Sequence, residues 1–206
     1  MHLPLESEER MSAVLGPIHE WMYNKVLVQE KIISEIASHA DDKGWEHSVM
    51  AKDNFKSLEE VIDLTNIHGS LFGMIEEVEN RYATLVAELL QADMNRYSEI
   101  EEVVTACGVL MAVPSKNTAS DVYSAMEGKL LDGMPCDHAM RICEDTDSRV
   151  EVMRTLDTHS SYWTNSGLTG ETYYDLRKAF VNGLLSNSGY SCNEIEEGIF
   201  EIVLAS

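Results

Sequence analysis

Apolar residues recur at steps of three and four along a long proline-free stretch of the chain, from Ser57 to Val113. Steps of this size place side chains on one face of a helix. The residues are Val61, Leu64, Ile67, Leu71, Ile75, Val78, Tyr82, Leu85 and Leu89, followed by Met94, Tyr97, Ile100, Val104, Cys107 and Met111. The phase slips by one residue after Leu90, and a straight helix of this length would extend for roughly 80 Å. The pattern therefore predicts two helices joined by a tight turn, or one sharply bent helix, with the break near residues 92–95.

Helical signals also flank this central stretch. Apolar residues at helical spacing run from Pro17 to Ala40, and Ser57 with Glu60 fits a capping box. We predict further helices at residues 6–15, 122–131, 136–153, 170–185 and 191–203. A strand at 198–204 is the alternative for the last segment, because Ile-Phe-Glu-Ile-Val has high β-propensity.

These elements predict an all-α fold. We expect a helical bundle built around the long central helix or helical hairpin at about 57–113, with a C-terminal helical half. The whole chain, 1–206, is expected to form a single domain. The alternative is a division near Pro114 into a helical core, 1–113, and a C-terminal half, 114–206.

The net charge of the chain indicates which classes of binding partner to expect. The 206 residues include 36 Asp and Glu but only 15 Lys and Arg, which gives a formal net charge of −21. Direct binding to nucleic-acid phosphates or to anionic membranes needs clustered positive charge, so we expect neither. We expect a cytoplasmic protein, because no apolar run reaches the ~18 residues of a membrane span and the N-terminus lacks the pattern of a signal peptide.

The chemically most varied segment runs from Met134 to Asp147. On the predicted helix Cys136 and Cys143 lie two turns apart on an apolar stripe, so we expect them to be buried thiols, like Cys107. Their spacing is not that of a zinc site. Two alternatives remain open: a reactive Cys136 in the first turn of a helix, with His138 nearby, and a Mg²⁺ site on the acidic run that contains Asp145 and Asp147.

Histidines mark two further places of interest. His68 lies within the central stripe and is expected to be a packed core residue beside Phe72; the alternative is an acid or base in a cleft. His159 follows in a polar segment together with Tyr162 and Trp163. We expect this segment to be an ordered surface loop, and the alternative is that it lines the mouth of a pocket.

The sequence from Ile67 to Asn80, followed by Ile-Glu-Glu-Val-Val-Thr-Ala around Glu102, resembles the paired acidic helices of the all-α nucleotide pyrophosphohydrolases of the MazG kind. That family binds Mg²⁺ with Glu-x-x-Glu on one helix and Glu-x-x-Asp on the next. Glu77 and Glu102 match the first position of each pair, whereas Asn80 and Thr105 stand at the second. Because two carboxylates are replaced by neutral groups, we expect weak Mg²⁺ binding and no nucleotide hydrolysis.

Three functions follow from these observations. The first is an acidic, non-enzymatic interaction or adaptor protein that binds a protein partner or itself and needs no cofactor. The alternative is a small helical metal-dependent enzyme or ligand-binding protein with a pocket between helices and Mg²⁺ as its ion. Its catalytic candidates are His68, Glu77, Glu102, Cys136 and His138, and its metal candidates are Glu77, Glu102, Asp145 and Asp147. Nucleic-acid mimicry is the third.

Overall fold

The computed structural model describes residues 14–116 and 118–205. It shows a mixed fold, with helices in the first half of the chain and a four-stranded antiparallel sheet in the C-terminal part. The prediction of an all-α helical bundle is therefore wrong. The predicted helix at 6–15 falls almost entirely outside the described residues.

Helices form the first half of the described chain. The elements are α1 (Pro17–Asp42), α2 (Leu58–Val61), α3 (Ile67–Ala92) and α4 (Tyr97–Leu110). Helices α1 and α3 are the longest of them, with 26 residues each. A 3-10 turn at Met94–Arg96 joins α3 to α4, and the side chain of Asp93 accepts a hydrogen bond from the backbone N–H of Asn95 there. The predicted break near 92–95 is confirmed.

The central apolar stripe is buried where it lies inside α3 and α4. Its exposed members, Val61, Leu64 and Met94, precede α3 or lie in the turn after it. The buried members are Ile67, Leu71, Ile75, Val78, Tyr82, Leu85, Leu89, Ile100, Val104 and Cys107. The period of the sequence therefore identifies the buried faces of α3 and α4 correctly.

The second half alternates helices with two β-hairpins. The elements are α5 (Ala119–Glu127), β1 (Met140–Asp145), β2 (Arg149–Arg154), α6 (Ser160–Asn165), α7 (Gly170–Leu185), β3 (Tyr190–Glu196) and β4 (Ile199–Leu204). The strand order is β1-β2-β4-β3, with every neighbouring pair antiparallel. The predicted helix at 170–185 is confirmed.

Two predicted helices are wrong because turns interrupt them. At 136–153, a 3-10 turn is followed by His138 in the left-handed region (φ 49°), and the chain then forms the β1–β2 hairpin. At 191–203, Gly198 with φ 73° closes the β3–β4 hairpin, so the strand alternative at 198–204 is correct. Apolar side chains at Val150 and Val152 alternate with polar ones, which is the period of a strand.

The two faces of the sheet differ in their contacts. The inner face packs against α5 and α7 and carries Val150, Val152 and Ile202. On the outer face Arg149 forms ion pairs with Glu144, Glu151 and Glu201. Among the described residues, no helix is long and apolar enough to cross a membrane.

Helix α7 is fixed against α4 by a close backbone approach. Gly108 of α4 and Gly183 of α7 meet at the crossing, where a Cβ added to Gly183 would lie 2.3 Å from the carbonyl oxygen of Thr105. The crossing therefore requires glycine. It fixes α7, which carries Tyr173, Tyr174 and Arg177.

Candidate ligand-binding pocket

The side chains singled out by the sequence lie on the surface. All seven are exposed: His68, Glu77, Glu102, Cys136, His138, Asp145 and Asp147. Within the described ranges, no group of three or more His, Cys, Asp or Glu side chains is arranged to hold a metal ion. The structure therefore does not bring these candidates together into one site.

The predictions for His68 and two cysteines are wrong. His68 follows the buried Ile67 by one position and so points away from the core, with its ring centroid 6.0 Å from that of His19. Cys136 and Cys143 are exposed because the segment that holds them forms a turn and a strand instead of a helix. Only the prediction for Cys107 is confirmed among these thiols, and burial raises its pKa to about 12.

A lysine lies beside Glu77, the glutamate of the central stretch that matches the pyrophosphohydrolase pattern. The ammonium of Lys52 is 3.2 Å from Glu77 Oε1 and 2.7 Å from Glu30 Oε1. Lys52 therefore forms an ion pair with each of the two glutamates, and its positive charge balances the charge of Glu77.

A different set of polar side chains forms a buried ion network around His159. The ring of His159 is only 2% exposed. Its Nδ1 lies 3.1 Å from Oε1 of Glu79 on α3, and its Nε2 lies 3.7 Å from Oδ1 of Asp132, which is an ion-pair distance rather than a hydrogen bond. Gln29 of α1 donates a hydrogen bond to the same Glu79 oxygen at 2.8 Å. The network thus links α1 and α3 to the C-terminal half.

Helix α7 supplies the other side of this network. The guanidinium of Arg177 donates to Oδ2 of Asp132 at 2.8 Å and to the hydroxyl of Tyr173 at 3.3 Å. The ring of Tyr173 stacks on His159, with centroids 3.9 Å apart and planes inclined by 22°. Asp132 is therefore held between a histidine and an arginine, and the stacked ring fixes the imidazole.

Burial and neighbouring charges shift the pKa values of Asp132 and His159 in opposite directions. Burial alone would raise the pKa of Asp132, but Arg177 and His159 outweigh it and hold that pKa well below its usual range. Burial alone would lower the pKa of His159, but Glu79 and Asp132 outweigh it and raise the pKa above the ordinary 6.5. Asp132 is therefore ionised at neutral pH, and the imidazole is protonated over a wider range than usual.

The loop before α6 positions both the histidine and the neighbouring tyrosine. Oδ1 of Asp157 accepts hydrogen bonds from the backbone N–H groups of His159 and Ser160, at 3.0 Å each, as an N-terminal cap does. The same oxygen accepts a hydrogen bond from the hydroxyl of Tyr174 at 2.8 Å. One carboxylate thereby orients His159 in the network and Tyr174 in the adjoining pocket.

A pocket of about 480 Å³ lies next to the network, between the inner face of the sheet and helices α5 and α7. Its apolar lining comes from both sides: Met126, Leu130, Met140, Val152, Val181, Phe200 and Ile202. Asp132 and Arg177 belong both to this lining and to the network. Pockets that bind drug-sized ligands have volumes of about 300–1,000 Å³ and mostly apolar walls. This pocket has such a volume, and charged residues line it beside the apolar ones.

Arg154 is the half-buried charged side chain of the pocket lining for which the described residues supply no ion pair. Of the charged lining residues that are not exposed, Glu127 pairs with Lys25, and Asp132 pairs with Arg177. Arg154 forms no ion pair within the described part of the chain, and its guanidinium lies 3.8 Å from the centroid of the Tyr174 ring. The remaining charged lining residues are exposed: Glu171, Asp175, Lys178, Glu194 and Glu197.

A thiol in the pocket is held in its protonated form. Cys192 points from β3 into the pocket, and burial raises its pKa to about 11. A thiol becomes a nucleophile as the thiolate, so the raised pKa lowers the reactivity of this cysteine at neutral pH. The arrangement suits binding of a ligand better than covalent catalysis.

The run of glutamates that contains Glu79 predicts a solvated acidic face of the helix, and this is wrong for Glu79, whose spacing indicates burial. Glu79 follows Ile75 by four positions and precedes Tyr82 by three, so it lies on the buried stripe and is 1% exposed. The expectation that 155–170 is a surface loop is wrong for His159 and Trp163, which are 2% and 0% exposed.

Comparisons with known protein families, with curated proteins and with solved structures found no match to this chain.

Proposed function

We propose that this protein binds a small molecule in the pocket between the sheet and helices α5 and α7. The pocket supports the proposal most directly, because its volume of about 480 Å³ is that of a ligand site and apolar side chains line it on both sides. The ligand would bury an apolar body against Met140 and Phe200 of the sheet and Tyr123 of α5, which are half-buried and still expose area to the pocket. Burial of apolar area contributes about 25 cal/mol per Å².

The ion network supports binding by fixing the walls of the pocket. Asp132 joins the segment after α5 to α7 through Arg177, and His159 joins the same aspartate to Glu79 on α3. A binding site formed before the ligand arrives loses less conformational entropy on binding. Asp132, Arg177 and His159 are therefore positioning residues for the pocket.

The test uses a neutral, apolar fluorescent probe, N-phenylnaphthylamine, titrated into the purified protein. We expect saturable binding with one probe per chain. Replacing Cys192, which lines the pocket, with tryptophan fills part of its volume, so Cys192→Trp should weaken probe binding by at least about tenfold, or 1.4 kcal/mol.

The matched control is Asn193→Trp. Asn193 follows Cys192 on β3 and pairs with Glu201, so its side chain lies on the outer face of the sheet. This variant should bind the probe as the unchanged protein does, and circular dichroism should show the same fold in both variants. Equal probe binding by the two tryptophan variants would contradict the proposal.

A second candidate, an acidic adaptor that binds a protein partner or itself, is favoured by the net charge of −21. Exposed apolar side chains near the start of α3, Leu64 and Phe72 at 56% and 51% exposure, would supply the contact. Sedimentation equilibrium tests the self-associating form. A dimer that Phe72→Ser dissociates would support it, and a constant monomer mass at all concentrations would contradict it.

A further inference from the structure

The chemistry of the pocket also indicates which kind of ligand it accepts. We infer that the ligand has an apolar body and an anionic head group, a carboxylate or a sulfonate, and that the guanidinium of Arg154 binds this head group. The inference rests on the proposed function, since it assumes that the pocket is the binding site. It adds the ligand class and the residue that recognises it.

The first observation behind this inference is the unmatched charge of Arg154. Its side chain is half-buried in the pocket lining, and no carboxylate of the described residues forms an ion pair with it. The other half-buried charges of the lining are already neutralised, by the pairs Lys25–Glu127 and Arg177–Asp132. A ligand anion would therefore neutralise the guanidinium of Arg154.

The second observation is that Arg154 is held in place before any ligand binds. Its guanidinium lies over the ring of Tyr174, a cation–π contact with 3.8 Å between the guanidinium carbon and the ring centroid. The hydroxyl of Tyr174 is in turn held by Asp157 at 2.8 Å. A planar guanidinium stacked on a ring keeps its N–H edge free to donate two parallel hydrogen bonds to a carboxylate.

The acidic surface is compatible with an anionic ligand. Four carboxylates of the lining form no ion pair with any described residue, and all four are exposed: Glu171, Asp175, Glu194 and Glu197. Exposed charges are screened over about 8 Å at physiological ionic strength, whereas a contact in a partly buried site is screened much less. The surface charge therefore slows the entry of an anion more than it weakens the bound state. Added salt should accordingly raise the association rate.

The experiment compares ligands that differ only in the head group. Decanoate, decanol and decylamine each compete with N-phenylnaphthylamine for the full-length protein. Decanoate should displace the probe at a concentration at least about tenfold lower than either of the others, because it alone pairs with the guanidinium.

The matched variants are Arg154→Gln and Arg141→Gln. Arg141 lies on β1, one position after the partner of Arg154, and its side chain is exposed on the outer face of the sheet. Arg154→Gln should remove the preference for decanoate and keep binding of the neutral probe. Arg154→Lys should keep part of the preference for decanoate, because lysine retains the positive charge. Arg141→Gln should change neither.

The outcomes separate the two proposals. If the neutral probe binds but decanol or decylamine competes as well as decanoate, the ligand class is wrong and the pocket remains a binding site. The ligand class is also wrong if Arg154→Gln keeps the preference for decanoate. If no probe or competitor binds the unchanged protein, the proposed function itself fails, and this inference fails with it.

Discussion

Replacing Gly183 with alanine tests the helix crossing that positions α7 beside the pocket. A Cβ at this position would lie 2.3 Å from the carbonyl oxygen of Thr105 and 2.9 Å from Cα of Gly108, whereas ordinary contacts begin at 3.4 Å. The two helices must therefore separate by about 1 Å. Overpacking of this kind costs about 1–3 kcal/mol, and a backbone obstacle lies at the upper end of that range.

Helix propensity acts in the opposite direction, which makes the sign of the result decisive. Alanine is favoured over glycine inside a helix by about 1 kcal/mol. The net effect of Gly183→Ala should be a loss of about 2 kcal/mol, which lowers the urea midpoint by about 1 M when m is about 2 kcal/mol per M.

The matched control for this crossing is Gly73→Ala in α3. An added Cβ there meets no atom within 4 Å, so only the helix propensity acts. This variant should become more stable by about 1 kcal/mol. An increase in the urea midpoint of Gly183→Ala, similar to that of Gly73→Ala, would refute the argument for a required glycine at the crossing.

Two other predictions concern the titratable groups. The pKa of His159 is raised in the folded protein, so its contribution to stability is complete below about 6.5 and is lost as the pH rises through the raised pKa. The advantage of the unchanged protein over His159→Gln in urea unfolding should therefore shrink as the pH rises above about 6.5, and a constant difference would contradict the ion network. At pH about 8, a thiol of pKa about 11, such as that of Cys192, is about 0.1% ionised. Cys192 should therefore react with iodoacetamide at least about a hundredfold more slowly than a model thiol of pKa about 8.5. Cys107, whose pKa is raised to about 12, should react more slowly still. Mass spectrometry of alkylated peptides should find the exposed thiols modified first, those of Cys136 and Cys143; early modification of Cys192 would contradict its burial.

Helices α3 and α4 and the break between them could be predicted because their signals are local. The period of the apolar residues and its phase slip locate the buried faces of α3 and α4 and the break between them. The predicted capping box at Ser57 is also present, with the backbone N–H of Ser57 2.9 Å from Glu60 Oε2. The β-hairpins could not be predicted in this way. The apolar residues from Cys136 to Met153 match a helical period, and only the backbone of His138 and the pairing of strands show that they do not form a helix.

The site could not be predicted because long-range contacts assemble it. Glu79 and His159 are separated by 80 positions, and Gln29 lies another 50 positions before Glu79. A local pattern shows that Glu79 shares the buried face of α3, but it does not show which group neutralises it. No sequence pattern marks Arg154. Its proposed role depends on the lack of an ion-pairing carboxylate among the described residues, which only the structure can show.

The central claim, that the pocket between the sheet and helices α5 and α7 binds a small molecule, is tested most directly by a crystal structure of the protein with N-phenylnaphthylamine. We predict that the rings of the probe lie against Met140 and Phe200 of the sheet on one side and Tyr123 of α5 on the other. A structure with the probe bound elsewhere, for example over the exposed Phe72, and with nothing bound between α7 and the sheet, would contradict the claim.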